Sequence, residues 1–93
     1  MPFVYILRCS DKSFYVGHTD NLISRERAHN KGTAAQYTAV RRPVRLVYSE
    51  EFEALSDAVK REKQLKRWSG RKKEALINRD LRALQRLSKR HKK

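Results

Sequence analysis

Two short apolar segments near the start of the chain, joined by a polar turn, constrain the fold more than any other feature. Residues 3–9, Phe-Val-Tyr-Ile-Leu-Arg-Cys, are rich in β-branched and aromatic side chains and too few for a stable helix, so they predict a strand. Residues 10–13, Ser-Asp-Lys-Ser, are typical of a turn, and residues 14–16, Phe-Tyr-Val, predict a second strand that ends near Gly17. We therefore expect a β-hairpin at the start of the domain.

The segments that follow alternate between helical and extended patterns. Candidate N-cap residues at positions 19–21 precede a helix predicted over residues 22–30, and Gly32 suits its C-terminal end. Residues 33–42 show no clear period and predict a loop, whereas residues 45–49 predict a third strand.

Helical periodicity returns over residues 53–67 and again after a break at Ser69-Gly70. The first of these helices carries an apolar stripe made of Leu55, Ala58, Val59 and Leu65. Ser69 can cap a second helix over residues 71–78. The order β-β-α-β-α-α predicts a small α/β (α+β) domain with an antiparallel sheet over residues 1–78. Residues 79–93 form a basic C-terminal tail with recurring leucines, for which helix and disorder both stay open.

The charge balance predicts a polyanionic partner. The chain has 23 Lys and Arg against 10 Asp and Glu, a net charge of +13, and each phosphate that a cation neutralises releases counterions. Residues 1–70 hold 13 basic and 8 acidic residues, net +5, and residues 71–93 hold 10 and 2, net +8. We expect the tail to add affinity without sequence preference, because lysine and arginine read phosphates rather than bases. Charge alone does not separate a nuclease from a ribosome-binding or chromatin-like protein.

Cysteine usage and hydropathy bear on the compartment. Cys9 is the one cysteine, so it forms no internal disulfide and builds no zinc site alone. Its apolar surroundings favour a buried neutral thiol over a reactive one. No segment resembles a signal peptide or is apolar over the length of a bilayer. We expect a cytoplasmic protein with no membrane partner.

Glu62 is the polar residue that least fits its predicted environment. With about 100° of turn per residue, it falls inside the apolar stripe, where a carboxylate is costly unless it is paired or bound to a metal. The cations around it, Lys60, Arg61, Lys63 and Lys66, offer ion pairing as an explanation. A boundary glutamate that reaches solvent is the other.

Arg25 and His29 lie four residues apart on one face of the first predicted helix. An arginine can stabilise charge on a phosphoryl transition state, and a neutral histidine can accept a proton near pH 7. A solvated helix face accounts for the same pattern.

Taken together, these residues resemble the GIY-YIG nuclease family, in its short single-domain bacterial branch. The likeness rests on Val4-Tyr5-Ile6 in the first strand, Tyr15-Val16-Gly17 in the second, Arg25 with His29, and the segments 43–48 and 61–68; it covers residues 2–78. The family fold is a three-stranded antiparallel sheet flanked by helices. The resemblance implies hydrolysis of a phosphodiester with a single divalent metal, Mg²⁺ or Mn²⁺.

The same resemblance implies a role for five residues. Glu62 is the expected metal ligand, and Arg25 is expected to contact the scissile phosphate. Tyr5 and Tyr15 are expected to line the site, where one of them positions or deprotonates the attacking water, and His29 is expected to assist there. The choice between the two tyrosines stays open.

Four positions depart from the family pattern. Phe3 replaces the leading glycine of the name motif, Lys12 stands where relatives often have a turn glycine, and Ser24 stands where arginine is frequent. Glu26 replaces an apolar residue that packs the helix onto the sheet, a change that we expect to weaken the core. His18, directly after the Tyr-Val-Gly motif, either approaches the site or caps the strand end.

The leading hypothesis is a metal-dependent endonuclease that acts on DNA in repair or branched-DNA processing. The alternative is a catalytically silent basic module that binds DNA or RNA. For a single domain we also expect a protein partner that supplies target choice.

The hairpin register tests whether the two tyrosines share a site. Side chains alternate faces along a strand, so Tyr5 and Tyr15 share a face only if the connecting loop has an odd number of residues. We predict such a loop, for example three residues within 10–13, because a shared catalytic site requires convergence.

Overall fold

A computed structural model describes residues 1–89 of the chain. Its elements, in chain order, are β1 (Phe3–Arg8), β2 (Phe14–Thr19), α1 (Leu22–Lys31), α2 (Gln36–Ala39), β3 (Arg45–Glu51), α3 (Leu55–Lys66), α4 (Gly70–Ile77) and α5 (Leu81–Lys89). The three strands form an antiparallel sheet in the order β2-β1-β3. The predicted α+β class and the three-stranded sheet are confirmed.

The hairpin has the predicted odd loop. Tyr5 pairs with Gly17, and Leu7 pairs with Tyr15. The Cys9 N–H donates to the Ser13 carbonyl at 2.9 Å, which leaves residues 10–12 as a three-residue loop. Lys12 adopts a left-handed conformation with φ 73°, a geometry that glycine enters at lower cost. Tyr5 and Tyr15 therefore lie on one face of the sheet, with ring centroids 6.4 Å apart.

Each face of the sheet is covered by one main helix. On one side α3 packs Ala58 and Leu65 against Val4 and Ile6 of the central strand. On the other side, the cluster that includes Tyr5, Leu7, Cys9 and Val44 is joined by Leu22 of α1. The sheet thus separates two small cores, because alternate residues of β1 point to opposite faces.

A β-bulge in β3 lets one edge strand serve both cores. The pairing shifts between Ile6, which faces Tyr48, and Leu7, which faces Leu46. The extra residue, Val47, turns Tyr48 toward the α3 side and Leu46 toward the α1 side.

Polar side chains of α1 hold this edge strand in place. The Leu46 N–H donates to the Glu26 carboxylate at 2.8 Å. One turn later, Asn30 donates to the Val44 carbonyl at 2.9 Å and accepts from the Val44 N–H at 2.7 Å. Glu26 therefore has a defined partner at a position where the family resemblance implies an apolar contact.

The helix caps agree with the sequence. The Asn21 side chain accepts the Ser24 N–H at 3.0 Å, and the Ser69 hydroxyl accepts the Lys72 N–H at 3.1 Å. Gly32 ends α1 in the left-handed region with φ 82°.

Several predicted boundaries were wrong. The segment 33–42 is not all loop, since Gln36–Ala39 forms the short helix α2, whose N-cap makes no side-chain hydrogen bond. Four residues are too few to show a period, and contacts with α1 stabilise the turn. β2 continues past Gly17 to Thr19, and α3 begins at Leu55 instead of residue 53.

The first part of the tail is helical. α5 packs Ala83 and Leu87 against Ala75 of α4. Residues 90–93, the end of the predicted basic tail, lie outside the described residues. The division at residue 78 stays a prediction.

The structure also bears on the thiol and on membrane crossing. Cys9 is buried, and burial raises the pKa of its thiol, as expected for an unreactive cysteine. Among residues 1–89, the helices lack the combination of length and apolar composition that crossing a bilayer requires.

We predict that Asn30→Ala destabilises the fold by about 1–3 kcal/mol, because both polar backbone groups of buried Val44 lose their partner. Lys31→Ala is the matched control, since Lys31 is an exposed neighbour on the same helix. Urea midpoints of both variants check this, and an equal midpoint for Asn30→Ala and wild type would contradict it.

Candidate active site

Three buried side chains form a hydrogen-bonded line across β1, α1 and α2. The Tyr5 hydroxyl lies 2.8 Å from His29 Nε2, and His29 Nδ1 lies 2.7 Å from Thr38 Oγ1. The Thr38 hydroxyl donates its hydrogen to the Ala35 carbonyl at 3.2 Å. The Thr38 oxygen therefore accepts a hydrogen bond from His29 Nδ1–H. Nε2 is then the acceptor, and the Tyr5 hydroxyl donates to it.

Burial keeps this line uncharged. It lowers the pKa of His29, and the nearby positive charge of Arg25 lowers it further. Burial also raises the pKa of the Tyr5 phenol, as does the charge of Tyr15, while Arg25 opposes the rise. At neutral pH the pair is therefore a phenol bonded to a neutral imidazole.

Tyr15 lies on the open side of this pair. Its ring centroid is 4.9 Å from that of His29. On the outer side Tyr37 of α2 stacks against Tyr15 at 6.1 Å with 29° between the planes. The Arg41 guanidinium lies over the Tyr37 ring, 3.8 Å from its centroid, and is held by Asp11 of the hairpin loop. Tyr15 is thus fixed from two sides.

Gly17 lets the Tyr5 ring reach the edge of the sheet. A Cβ at position 17 would lie 2.6 Å from the Tyr5 hydroxyl and 2.8 Å from Cζ. Real Cβ atoms essentially never approach other atoms this closely, so the Tyr5 ring occupies the space that a side chain at position 17 would need. The neighbouring residue, His18, points to the other face of the sheet.

His18 meets Glu62 on that other face. His18 Nδ1 lies 2.5 Å from Glu62 Oε1, and Lys66 Nζ lies 2.7 Å from Glu62 Oε2. The Glu62 side chain is 14% exposed. Burial by itself would raise its pKa, but the hydrogen bonds from Lys66 and His18 outweigh burial and hold the pKa below the ordinary value. Glu62 is therefore an ionised carboxylate.

The five predicted site residues thus lie on both sides of the β2 edge. Tyr5, Tyr15 and His29 touch one another, and the charges of Arg25 and Glu62 both act on Tyr5. Glu62 makes its direct contacts with His18 and Lys66 instead of the other four.

Two surface depressions open at this edge. Arg25 and His18 line one of about 580 Å³. Tyr15, Tyr37, Lys66 and Lys73 line another of about 270 Å³, and burial lowers the pKa of Lys73. The larger depression extends from Arg25 to His18, the residue that contacts Glu62. The smaller one has Lys66 and Lys73 in its lining together with Tyr15.

Glu62 is the carboxylate that the sequence predicts as a divalent-metal ligand. Within residues 1–89, no group of three or more His, Cys, Asp and Glu side chains converges. Mg²⁺ is often held by only one or two carboxylates, with waters and phosphate oxygens as the remaining ligands. Ionised Glu62 fits that pattern, provided that Lys66 or His18 releases the Glu62 carboxylate oxygen to which it is bonded.

Sequence reasoning missed the residues that support the site. Thr38 and Tyr37 lie in the segment predicted as a loop. No feature of the sequence distinguishes Lys73 from the other basic residues near it. The sequence allowed two roles for His18, although strand alternation alone places it opposite Tyr15 and Gly17. Lys60, Arg61, Lys63 and Lys66 were the cations expected to pair with Glu62. Of these four, Lys66 forms the ion pair in the structure.

Comparisons with known proteins identify the family and the fold. The GIY-YIG catalytic domain model matches residues 1–75. A UPF0213 protein of Staphylococcus aureus strain Mu3 is 49% identical over 75 residues, which cover 81% of this chain and 92% of that protein. The solution NMR structure of UPF0213 protein BH0048 from Bacillus halodurans is similar with a TM-score of 0.55 and 40% identity, covering 86% of each chain. That of EF2693 from E. faecalis has a TM-score of 0.56 and 37% identity, covering 82% of this chain and 81% of that one.

We predict that Gly17→Ala costs about 1–3 kcal/mol, because the new methyl group and the Tyr5 ring cannot share one space. Gly70→Ala is the control, since a Cβ there meets nothing within 4 Å. Urea unfolding measures the cost, and the His29 ring nitrogen shifts by NMR report the displaced Tyr5 hydroxyl. Unchanged shifts and an unchanged midpoint in Gly17→Ala would refute the close packing.

Proposed function

Because the chain belongs to the GIY-YIG family, whose domains are typically nucleases, we propose that it is a divalent-metal-dependent endonuclease that hydrolyses DNA. The observation that carries this proposal is the buried Tyr5–His29 hydrogen bond beside Arg25, with ionised Glu62 across the edge of β2. These groups supply a proton acceptor, a cation for phosphate and a carboxylate for a metal.

Tyr5 and His29 act in this proposal as a proton relay. The phenol gives its proton to His29 Nε2 as its oxygen takes one from the attacking water. Because the pKa of Tyr5 is raised, its phenol keeps its proton until the reaction begins. The phenol oxygen can then take a proton from water only as it passes its own proton to the His29 imidazole. Tyr15, which faces the open depression, orients the water.

Glu62 would hold the divalent ion, Mg²⁺ or Mn²⁺. A bound ion would supply Lewis-acid stabilisation of the negative charge that develops in the reaction. His18 and Lys66 keep Glu62 ionised and in place until the nucleic acid arrives. Lys66 is then free to turn toward a phosphate oxygen.

Arg25 contacts the scissile phosphate. It is exposed on α1 and lines the depression that also contains His18. A guanidinium there stabilises the extra negative charge of the transition state.

DNA is the substrate that we assign, and repair or branched-DNA processing is the setting. The net charge of +13 supports a polyanion. Supercoiled plasmid and structured RNA, each incubated with Mg²⁺, Mn²⁺ or chelator, distinguish DNA cleavage from RNA cleavage. Binding of either without cleavage under any of these conditions would favour the catalytically silent module.

We predict that Glu62→Gln abolishes metal-dependent cleavage and preserves or strengthens DNA binding, because a negative charge near phosphate is removed. Glu51→Gln is the matched control: Glu51 is exposed on β3, at the opposite edge of the sheet from β2, and the activity of this variant should stay at the wild-type level. Cleavage is measured per folded molecule, with thermal melting to count the folded fraction. Full Mn²⁺-dependent activity in stably folded Glu62→Gln would remove Glu62 from the mechanism.

Thr38 is a positioning residue in this scheme, since its hydroxyl oxygen accepts a hydrogen bond from His29 Nδ1–H. Only neutral His29 accepts the Tyr5 proton, so the wild-type rate should fall as pH drops through the lowered pKa of His29. Thr38→Val removes an acceptor that stabilises the imidazolium and fixes the tautomer. We predict a rate loss of about 10–100-fold, by analogy with groups that orient metal-bound histidines, and an acid limb at lower pH.

Thr38→Ser keeps the hydroxyl and should restore both the rate and the position of the acid limb. The pH dependence of kcat/KM for the three proteins measures this. A Thr38→Val profile that is merely scaled down, without a shift of its acid limb, would argue for a structural role only.

A further inference from the structure

A second basic surface lies on the outer side of α3, away from the β2 edge. It is a groove of about 440 Å³ between α3 and the start of α4, lined by Lys60, Lys63, Gln64, Arg67, Trp68 and Lys72. No carboxylate belongs to this lining among the described residues. We call it the α3–α4 groove.

The cations of this groove differ from the others on α3. Arg61 pairs with Glu50, and Lys66 pairs with Glu62. In contrast, the groove cations form no ion pair with any residue of the range 1–89. Among residues 1–89, no carboxylate lies within 4 Å of these cations, so the groove favours an anionic ligand.

The spacing of these cations suits a chain of phosphates. Lys60, Lys63 and Arg67 recur on one helix face, and with a rise of 1.5 Å per residue they span about 10 Å. A nucleic-acid strand carries one charge per about 3.4 Å of helix axis. Three cations in line therefore match a run of about three phosphates better than they match one isolated anion.

Trp68 fixes the fourth cation. The Lys72 ammonium lies 4.1 Å from the centre of the indole ring, and the Arg61 guanidinium lies 5.2 Å from it. The ring is half-buried and packs against the core on the α3 side of the sheet. Lys72 is thereby held beside the groove instead of moving freely in solvent.

We propose that the α3–α4 groove binds the phosphodiester backbone of duplex DNA beyond the scissile phosphate. The proposal rests on the proposed function for the identity of the ligand. α3 carries Glu62 on its sheet-facing side and the groove on its outer side, so one helix links the cleavage site to a flanking contact. The contact gives affinity and orientation without sequence preference, because cations read phosphates.

The test is binding of a duplex oligonucleotide in chelator, where cleavage plays no part. The groove variant replaces Lys60, Lys63 and Arg67 with Gln. The control variant replaces Arg27, Lys31 and Arg45 with Gln; it removes the same charge from exposed positions on α1 and β3. Thermal melting of both variants confirms that they are folded.

We expect the slope of log K against log salt to become shallower by about 0.9 for each phosphate that the groove variant no longer neutralises, so by about two to three in all. The control should keep the wild-type slope. Trp68 is the single tryptophan, and its emission should change on DNA binding in the wild type and the control but not in the groove variant.

The proposal is overturned by an unchanged salt slope in the groove variant, or by a wild-type Trp68 emission that does not respond at saturating DNA. An equal response to poly-L-glutamate would also overturn it, by showing that the groove does not select phosphates. Plasmid cleavage with Mn²⁺, measured separately, reports on the proposed function, so either proposal can fail while the other stands.

Discussion

The hydrogen bonds of His29 hold the candidate site together. One ring nitrogen meets Tyr5 of β1 at 2.8 Å, and the other meets Thr38 of α2 at 2.7 Å. All three side chains are almost fully buried, and a buried polar group that loses its partner costs about 1–3 kcal/mol. A shift of any one of the three elements would leave such a group unpaired, so β1, α1 and α2 are fixed relative to one another.

From that line the site extends across the sheet through two adjacent residues of β2. Gly17 offers no side chain, and the Tyr5 ring fills the space on one face. His18 points to the other face and reaches Glu62 at 2.5 Å. An edge strand suits this arrangement, because its free side is open to a ligand while its neighbours support it. The Tyr5–His29 pair and the Glu62 carboxylate thus lie at one strand edge, although they come from separate cores.

The cations of α3 divide in the same way between structure and surface. Arg61 and Lys66 neutralise Glu50 and Glu62, each partly buried. The cations of the α3–α4 groove face outward on the same helix. A charge count treats all of these residues alike, whereas pairing in the folded chain decides which of them are available to a polyanion.

Local sequence determined every described strand and helix of this protein except α2 and α5, and only the tertiary structure decided which of their residues contact one another. The hairpin, the caps at Asn21 and Ser69 and the stripe on α3 were predictable, because their causes lie within a few residues. The unusual position of Glu62 was visible for the same reason. The partners of His29 and Glu62 were not predictable, since Tyr5 is 24 residues from His29, and His18 is 44 residues from Glu62. The path of the chain brings such pairs together, and α2 places Thr38 Oγ1 2.7 Å from His29 Nδ1.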